Sequence, residues 1–382
     1  MSDAPPPPPL AFIDLQAQRR RLGDRIDAAI ARVLDHGGFI MGPEVRAFEE
    51  ALGAFGRAKH VLGCANGTEA LALPLMAWGV GPGDAVFCPS FSFAATAEVA
   101  PWLGATPVFV DVLPDTYGMD AAHLELAIAQ VKAEGRLTPR VVVAVDLFGQ
   151  PADYPAISAV SRAHGLKLIA DSAQGFGCTL EGEHPLKWAD CTTTSFFPAK
   201  PLGAYGDGGA VLTDDGGLHE VLVSLRNHGA GADKYDNVRI GMNSRLDTIQ
   251  AAILLEKLAV FPEEIETRNR IAARYGEMLA GLVATPTVIE GGVSTWAQYT
   301  VEAPDRDGFM AALRAEGIPT AAYYPKPIHM QSAYRDYPLG GNGLPVTEAK
   351  AGVVVSLPMH PDLDEPTQDR IVDAVRRAAG RV

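Results

Sequence analysis

Between residues 85 and 213, short apolar runs alternate with stretches of helical periodicity, and this alternation limits the fold more than any other feature of the chain. Strands are expected at residues 85–88, 107–112, 141–146, 166–171, 192–197 and 210–213, with helices near 69–78, 94–103, 121–133 and 155–164. Parallel neighbours in a sheet need a long crossover, usually a helix, so repeated strand–helix units build an α/β domain with a largely parallel sheet. A helical stretch over 246–279, broken near Pro262, leads out of that domain. Beyond about residue 289, strands at 298–303 and 353–357 mix with helices at 306–316 and 366–378, which reads as a smaller α+β domain. The expected division is a proline-rich tail at 1–11, a large domain at 12–260 that includes N-terminal helices, and a small domain at 261–382. A chain of 382 residues is long enough for two sizeable cores.

Composition narrows the class. A hydrophobic content of 47% with 20% charged residues is that of an ordinary globular protein. No apolar run reaches membrane-spanning length, and the first ten residues lack the basic and apolar regions of a signal peptide, so a cytoplasmic location is expected. Cys64, Cys88, Cys178 and Cys191 form no C-x-x-C pair, which points to four small buried residues rather than a disulfide framework or a zinc site, and no metal is expected. A net charge of −14 argues against nucleic acid, and any anionic ligand must be held by a local site. Near the N-terminus, Arg19–Arg21 are expected to be a solvated basic face on an amphipathic helix that Gly37-Gly38 ends. Pro43 then opens a helix whose core positions are Val45, Phe48, Leu52 and Phe55.

In open α/β sheets, ligands gather at the carboxyl ends of strands. Lys200 follows one such end, flanked by Ala199 and Pro201, with no other charge between Cys191 and Tyr205. An isolated, partly desolvated amine has a lowered pKa, which suits Schiff-base chemistry; a surface lysine in a turn is the competing reading. Asn66-Gly67-Thr68 precedes an apolar helix and offers either a phosphate site of free N–H groups or a plain N-cap. Asp171 ends its strand as a turn residue or as a partner for a cationic ring nitrogen. Ser195, five residues before Lys200, can reach the same phosphate as Thr68. Of Phe91 and Phe93, one is expected in the core and the other as a stacking face. His329 and His360 read as packed loop histidines. Gly79–Gly83 resembles a dinucleotide loop only superficially, because it lies between a helix and a strand. Taken together, a phosphate anchor, a ring-nitrogen acid, an aromatic face and an isolated lysine are what pyridoxal phosphate needs.

These residues resemble the DegT/DnrJ/EryC1/StrS family of sugar aminotransferases, which have the fold type I, aspartate aminotransferase-like architecture. The resemblance runs from about Phe12 to the C-terminus. It rests on Gly42-Pro43-Glu44-Val45, Asn66-Gly67-Thr68, Gly81-Pro82-Gly83-Asp84, Asp171-Ser172-Ala173-Gln174, Ser195 through Lys200, Gly206-Asp207-Gly208-Gly209-Ala210 and Asn243-Ser244-Arg245-Leu246-Asp247. It implies that Lys200 forms the Schiff base and Asp171 pairs with the pyridine nitrogen. Gln174 would lie by the ring, Phe93 would stack on it, and Gly67, Thr68 and Ser195 would bind the phosphate. Asn243 would reach the cofactor of a neighbouring subunit, which makes a homodimer with shared sites. Lys200, rather than the histidine of some family members that are dehydratases, implies an aminotransferase.

Within the family, Ser195–Gly203, Asn243–Asp247 and Ser356-Leu357-Pro358-Met359-His360-Pro361 are similar to enzymes that aminate UDP-2-acetamido-2-deoxy-3-oxo-glucuronate for bacterial surface polysaccharide. That likeness implies glutamate as amino donor and Arg245 on the substrate carboxylate, with an intersubunit salt bridge as the other reading of Arg245. Tyr323 and Tyr324, also taken as substrate contacts, stand where closer relatives tend to show His-Tyr. Ser172 replaces a usual alanine, and Pro74 is expected to interrupt its helix. The rival readings are an aminotransferase for a 4-keto-6-deoxy nucleotide sugar and, more remotely, a cofactor-binding regulatory protein without turnover.

Overall fold

Seven strands form the central sheet of the computed structural model, which describes residues 10–233 and 235–380. They are β1 (His60–Cys64), β2 (Asp84–Pro89), β3 (Thr106–Val110), β4 (Thr138–Val145), β5 (Lys167–Asp171), β7 (Cys191–Ser195) and β8 (Gly209–Thr213), the two-residue β6 (Thr179–Leu180) lying outside the sheet. Their order is β1-β8-β7-β5-β4-β2-β3. Only β8 runs against its neighbours; the pairs β7–β5, β5–β4, β4–β2 and β2–β3 are parallel. The expected strands are all present with ends shifted by at most three residues, and β1 is an addition. Most of the proline-rich tail, residues 1–9, lies outside the described residues.

Helices cover both faces because the strands are apolar on both. Val86, Cys88, Val141, Val143 and Ile169 pack with α3 (Gly67–Ala77), α4 (Ala95–Trp102) and α7 (Gly216–Arg226). The alternate residues Ala85, Phe87, Val142, Ala144, Leu168 and Ala170 pack with α5 (Ala121–Glu134) and α6 (Tyr154–Ala163). At the β1–β8 edge a third cluster joins α2 (Pro43–Gly56) and α8 (Thr248–Leu258), onto which α1 (Leu15–His36) packs through Leu22 and Ile26. The break at Pro262 separates α8 from α9 (Phe261–Leu279), where the proline occupies the first turn and its missing N–H costs nothing. The C-terminal core then packs α9, β10 (Tyr299–Glu302), α10 (Arg306–Ala315), β11 (Val354–Leu357) and α12 (Glu365–Ala379) together. The short α11 (Pro345–Ala351) precedes β11, and β9 (Gly292–Val293) pairs with β6.

Two local expectations are overturned. Pro74 does not interrupt α3, which runs through it to Ala77; with only three helical residues following, the lost N–H bond falls in the last turn. The basic triplet is not wholly solvated. Arg21 joins α1 to α9 and to the turn before α12 by pairing with Glu264, whose side chain is only 4% exposed, and with Asp362 at 3.0 Å.

Candidate active site

The carboxyl ends of β1, β5 and β7 and the amino end of β8 meet at one edge of the sheet, where Ser195 is paired with Gly209 and Gly209 with Cys64. From β1 the chain turns through Asn66, whose side chain caps α3 by accepting from the Glu69 N–H at 2.8 Å. The N-cap reading of Asn66-Gly67-Thr68 is what the structure shows, and the cap, by taking the Glu69 donor, leaves the N–H groups of Gly67 and Thr68 at the open end of a helix. A side chain on Gly67 would lie 2.9 Å from Ser195 Oγ, and one on Gly209 would strike the Asn66 carbonyl. Glycine at both positions lets the first turn of α3, β8 and Ser195 close into a cradle of donors, which fits a phosphate group.

Asp171, 4% exposed, ends β5. Its Oδ2 accepts from Thr96 Oγ1 at 2.9 Å and its Oδ1 from the Ala173 N–H at 3.2 Å, while Thr96 in turn meets Ser92 Oγ at 3.0 Å. Burial pushes the Asp171 carboxyl up; those donors and the charge of Lys200 push it back toward the ionised form. Lys200 is half-buried in the turn after β7, its N–H bonded to the Phe197 carbonyl at 2.8 Å. Burial lowers its amine and Asp171 offsets part of that shift. A nucleophilic amine beside a stabilised carboxylate, next to an anion cradle, is the donor set that pyridoxal phosphate requires.

Gln174 is locked in place: its Oε1 accepts from the Phe148 N–H and its Nε2 donates to Tyr324 Oη, both at 2.8 Å. The Tyr324 ring is 6.5 Å from that of Phe93, which is 56% exposed, while Phe91 is buried at 1% among Tyr117, Phe148 and Tyr324. The expected division between a core ring and an open ring is what the structure shows. Tyr323 turns to Phe12, with ring centres 6.2 Å apart. Asn243 and Arg245 are not drawn into this cluster. Asn243 is exposed and Arg245 half-buried, and among the described residues neither side chain makes a hydrogen bond or ion pair. His329 and His360 are buried, His329 against Ser90 Oγ at 2.7 Å.

Sequence reasoning missed the residues behind Asp171. Thr96 lies in the first turn of α4 and Ser92 in the loop before it, so no helical spacing marks the two hydroxyls as neighbours. Asp146, at the end of β4, is fully buried. It accepts from Tyr154 Oη at 2.7 Å, the Ala152 N–H at 3.1 Å and Ser172 Oγ, so the serine that replaces a usual alanine has a partner. Burial raises the Asp146 carboxyl to about 7.

The sequence profile of the DegT/DnrJ/EryC1/StrS aminotransferase family matches residues 20–376. The UDP-2-acetamido-2-deoxy-3-oxo-D-glucuronate aminotransferase of Pseudomonas aeruginosa is 46% identical over 358 residues, covering 93% of this chain and 96% of its own. The UDP-N-acetyl-3-dehydro-alpha-D-glucosamine 3-aminotransferase of Acidithiobacillus ferrooxidans is 41% identical, with 96% and 97% covered. A crystal structure of a DegT DnrJ EryC1 StrS aminotransferase from Brucella abortus superposes with a TM-score of 0.96 at 52% identity, covering 97% of this chain and all of that one.

Proposed function

Because the chain belongs to the DegT/DnrJ/EryC1/StrS aminotransferase family, we propose that it moves an amino group from glutamate to the 3-oxo group of UDP-2-acetamido-2-deoxy-3-oxo-glucuronate. Such a reaction supplies amino sugars for bacterial surface polysaccharide, and we place it in the cytoplasm; among the described residues no helix is long and apolar enough to cross a membrane. The observation that carries the reading is that the Lys200 amine and the buried Asp171 carboxyl feel each other's charge at the strand ends that also form the Gly67–Ser195 cradle.

Pyridoxal phosphate, the family's cofactor, supplies an electron sink for the pair released from a Cα–H bond. Lys200 Nζ would hold the cofactor and, as an amine, would take up and return the proton. Asp171, whose charged form accepts from Thr96 Oγ1 and the Ala173 N–H, would pair with the ring nitrogen. The Gly67 and Thr68 N–H groups, with the Thr68 and Ser195 hydroxyls, would hold the phosphate. Phe93 would offer its open face to the ring, and Gln174, fixed by Phe148 and Tyr324, would orient its edge.

A second copy of the chain completes the site in this reading. Phe39, Ile40, Met41, Phe197 and Ile240 are exposed large apolar residues, Ile240 at 90%. Ile40 bridges to Asp247, so the exposed run Phe39–Met41 lies beside the segment that carries Asn243 and Arg245. Asn243 would reach the neighbouring copy's phosphate, and Arg245 would take the sugar carboxylate as a bidentate pair, with Tyr323 and Tyr324 lining the sugar. The domain division follows the same lines, with residues 12–260 holding the cofactor and 261–382 the smaller unit.

The test is the absorption spectrum of the purified protein with and without glutamate, for wild type and Lys200→Ala. A visible cofactor band that glutamate shifts to shorter wavelength, only with Lys200 present, supports the reading, and its return on adding one keto sugar nucleotide names the acceptor. A 4-keto-6-deoxy sugar has no carboxylate, so Arg245→Ala should spare that activity and cripple amination of the acid. A band that no amino donor changes would mean a binding protein without turnover.

A further inference from the structure

Lys257 is a buried cation outside the catalytic cluster. It lies on α8 and is 2% exposed, yet among the described residues no carboxylate lies within ion-pair distance of its amine. Its Nζ donates to the Gly203 carbonyl at 2.6 Å and stands 4.4 Å over the ring centre of Tyr205. A buried ammonium is costly, whereas an unbranched apolar side chain would fill the same space without desolvation. What distinguishes lysine here is therefore the charge-assisted tether to the carbonyl and the cation–π contact.

The tethered carbonyl belongs to the loop that presents Lys200. That loop closes on itself: the Ala204 N–H bonds the Phe196 carbonyl at 2.8 Å, and the Lys200 N–H bonds the Phe197 carbonyl. Gly203 is packed so tightly on Pro198 that a Cβ would strike the Pro198 carbonyl oxygen. A second residue of α8, Gln250, accepts from the Tyr205 N–H at 2.9 Å. Movement of the Gly203 carbonyl therefore passes through Pro198 to Lys200, two residues further on.

We propose that Lys257 is a positioning residue for Lys200, its ammonium fixing the Gly203 turn so that the reactive amine is presented at one place beside Asp171. This rests on the reading that Lys200 carries pyridoxal phosphate. Burial lowers the Lys257 amine to about 8, and the charge of Glu264, among the described residues the one charged group acting on it, offsets part of that shift.

Apoprotein of wild type, Lys257→Met and Val33→Ala is titrated with pyridoxal phosphate, and the pH midpoint of the visible cofactor band is recorded for each. Val33→Ala removes buried bulk where α1 packs on Ala252 of α8, in a cluster that holds no residue of the turn. Lys257→Met should raise the Kd about tenfold and move the midpoint by about half a pH unit, whereas Val33→Ala, at a comparable loss of melting temperature, keeps both wild-type values. Wild-type Kd and midpoint in Lys257→Met overturn the proposal alone. A wild type that never develops the band overturns the Lys200 reading and this one with it. If the Met variant does not fold, Lys257→Arg carries the same readouts: the longer guanidinium must displace the turn, and an unmoved midpoint overturns the proposal.

Discussion

The Cβ that Gly67 lacks would lie 2.5 Å from the Cβ of Ser195, residues 128 positions apart in the chain. Two segments thus meet with room for backbone alone, at the open end of α3. Gly67→Ala must push Ser195 aside and spoil the donor cradle. Equilibrium dialysis should show at least a roughly tenfold weaker Kd for pyridoxal phosphate, since about 1.4 kcal/mol of lost contact suffices for that. The melting temperature of the apoprotein should change little by comparison.

Thr96→Val keeps the shape of the side chain and removes the hydrogen bond to Asp171. A bond to a buried charged group is worth about 1.5–3 kcal/mol, so the Asp171 carboxylate should lose much of its preference for the ionised form. Single-turnover amine transfer from glutamate should slow by about tenfold or more. Thr96→Ser, which retains the hydroxyl, should stay close to wild type.

Asp146 is buried with its carboxyl raised to about 7, and the sign of its pH effect follows from that shift. The native state binds this proton more tightly than the unfolded chain, so the group favours folding below the unfolded carboxyl range and loses that contribution as pH rises through about 7. In Asp146→Asn the amide can donate to Ser172 Oγ, and the titration is gone. Urea unfolding at pH 6 and pH 8 should show wild type losing about 1 kcal/mol more than the variant over that interval.

Two arginines on neighbouring helices should behave oppositely. Arg21→Met leaves the buried Glu264 carboxylate, among the described residues, with Gln18 as its one remaining side-chain hydrogen-bond partner, which should cost about 2 kcal/mol in urea unfolding. Arg46→Ala breaks a pair with Glu50 in which both side chains are largely exposed, and the unfolding midpoint should not move.

Much of the fold was legible because periodicity is local. Residues 141–145 announce a strand through a continuous β-branched and aliphatic run, residues 168–170 extend a shorter one after Lys167, and the break at Pro262 follows from one missing N–H. β1 was harder to see: His60–Cys64 is short, contains Gly63 and is held by β8 from the far end of the domain. α7 begins with two glycines, which mask its helical pattern until Asp215 is seen to cap it through the N–H groups of Gly217 and Leu218.

For the site, the residue types and their places at strand ends were written in the chain: Lys200 without charged neighbours, Asp171 and Ser195 closing their strands, Gly67 ahead of an apolar helix. Their partners were not. Thr96 meets Asp171 across 75 positions, Gln174 meets Tyr324 across 150 and Lys257 meets Gly203 across 54, and no local pattern distinguishes these side chains from ordinary ones on their helices and loops. Chemistry that depends on one residue's type and its immediate neighbours is set locally; the protonation and aim of that residue depend on desolvation and hydrogen bonds that exist only after distant segments pack. Residue type and local pattern put these groups at the edge of the sheet; the packing of distant segments sets what orients each of them and brings it within reach of the others.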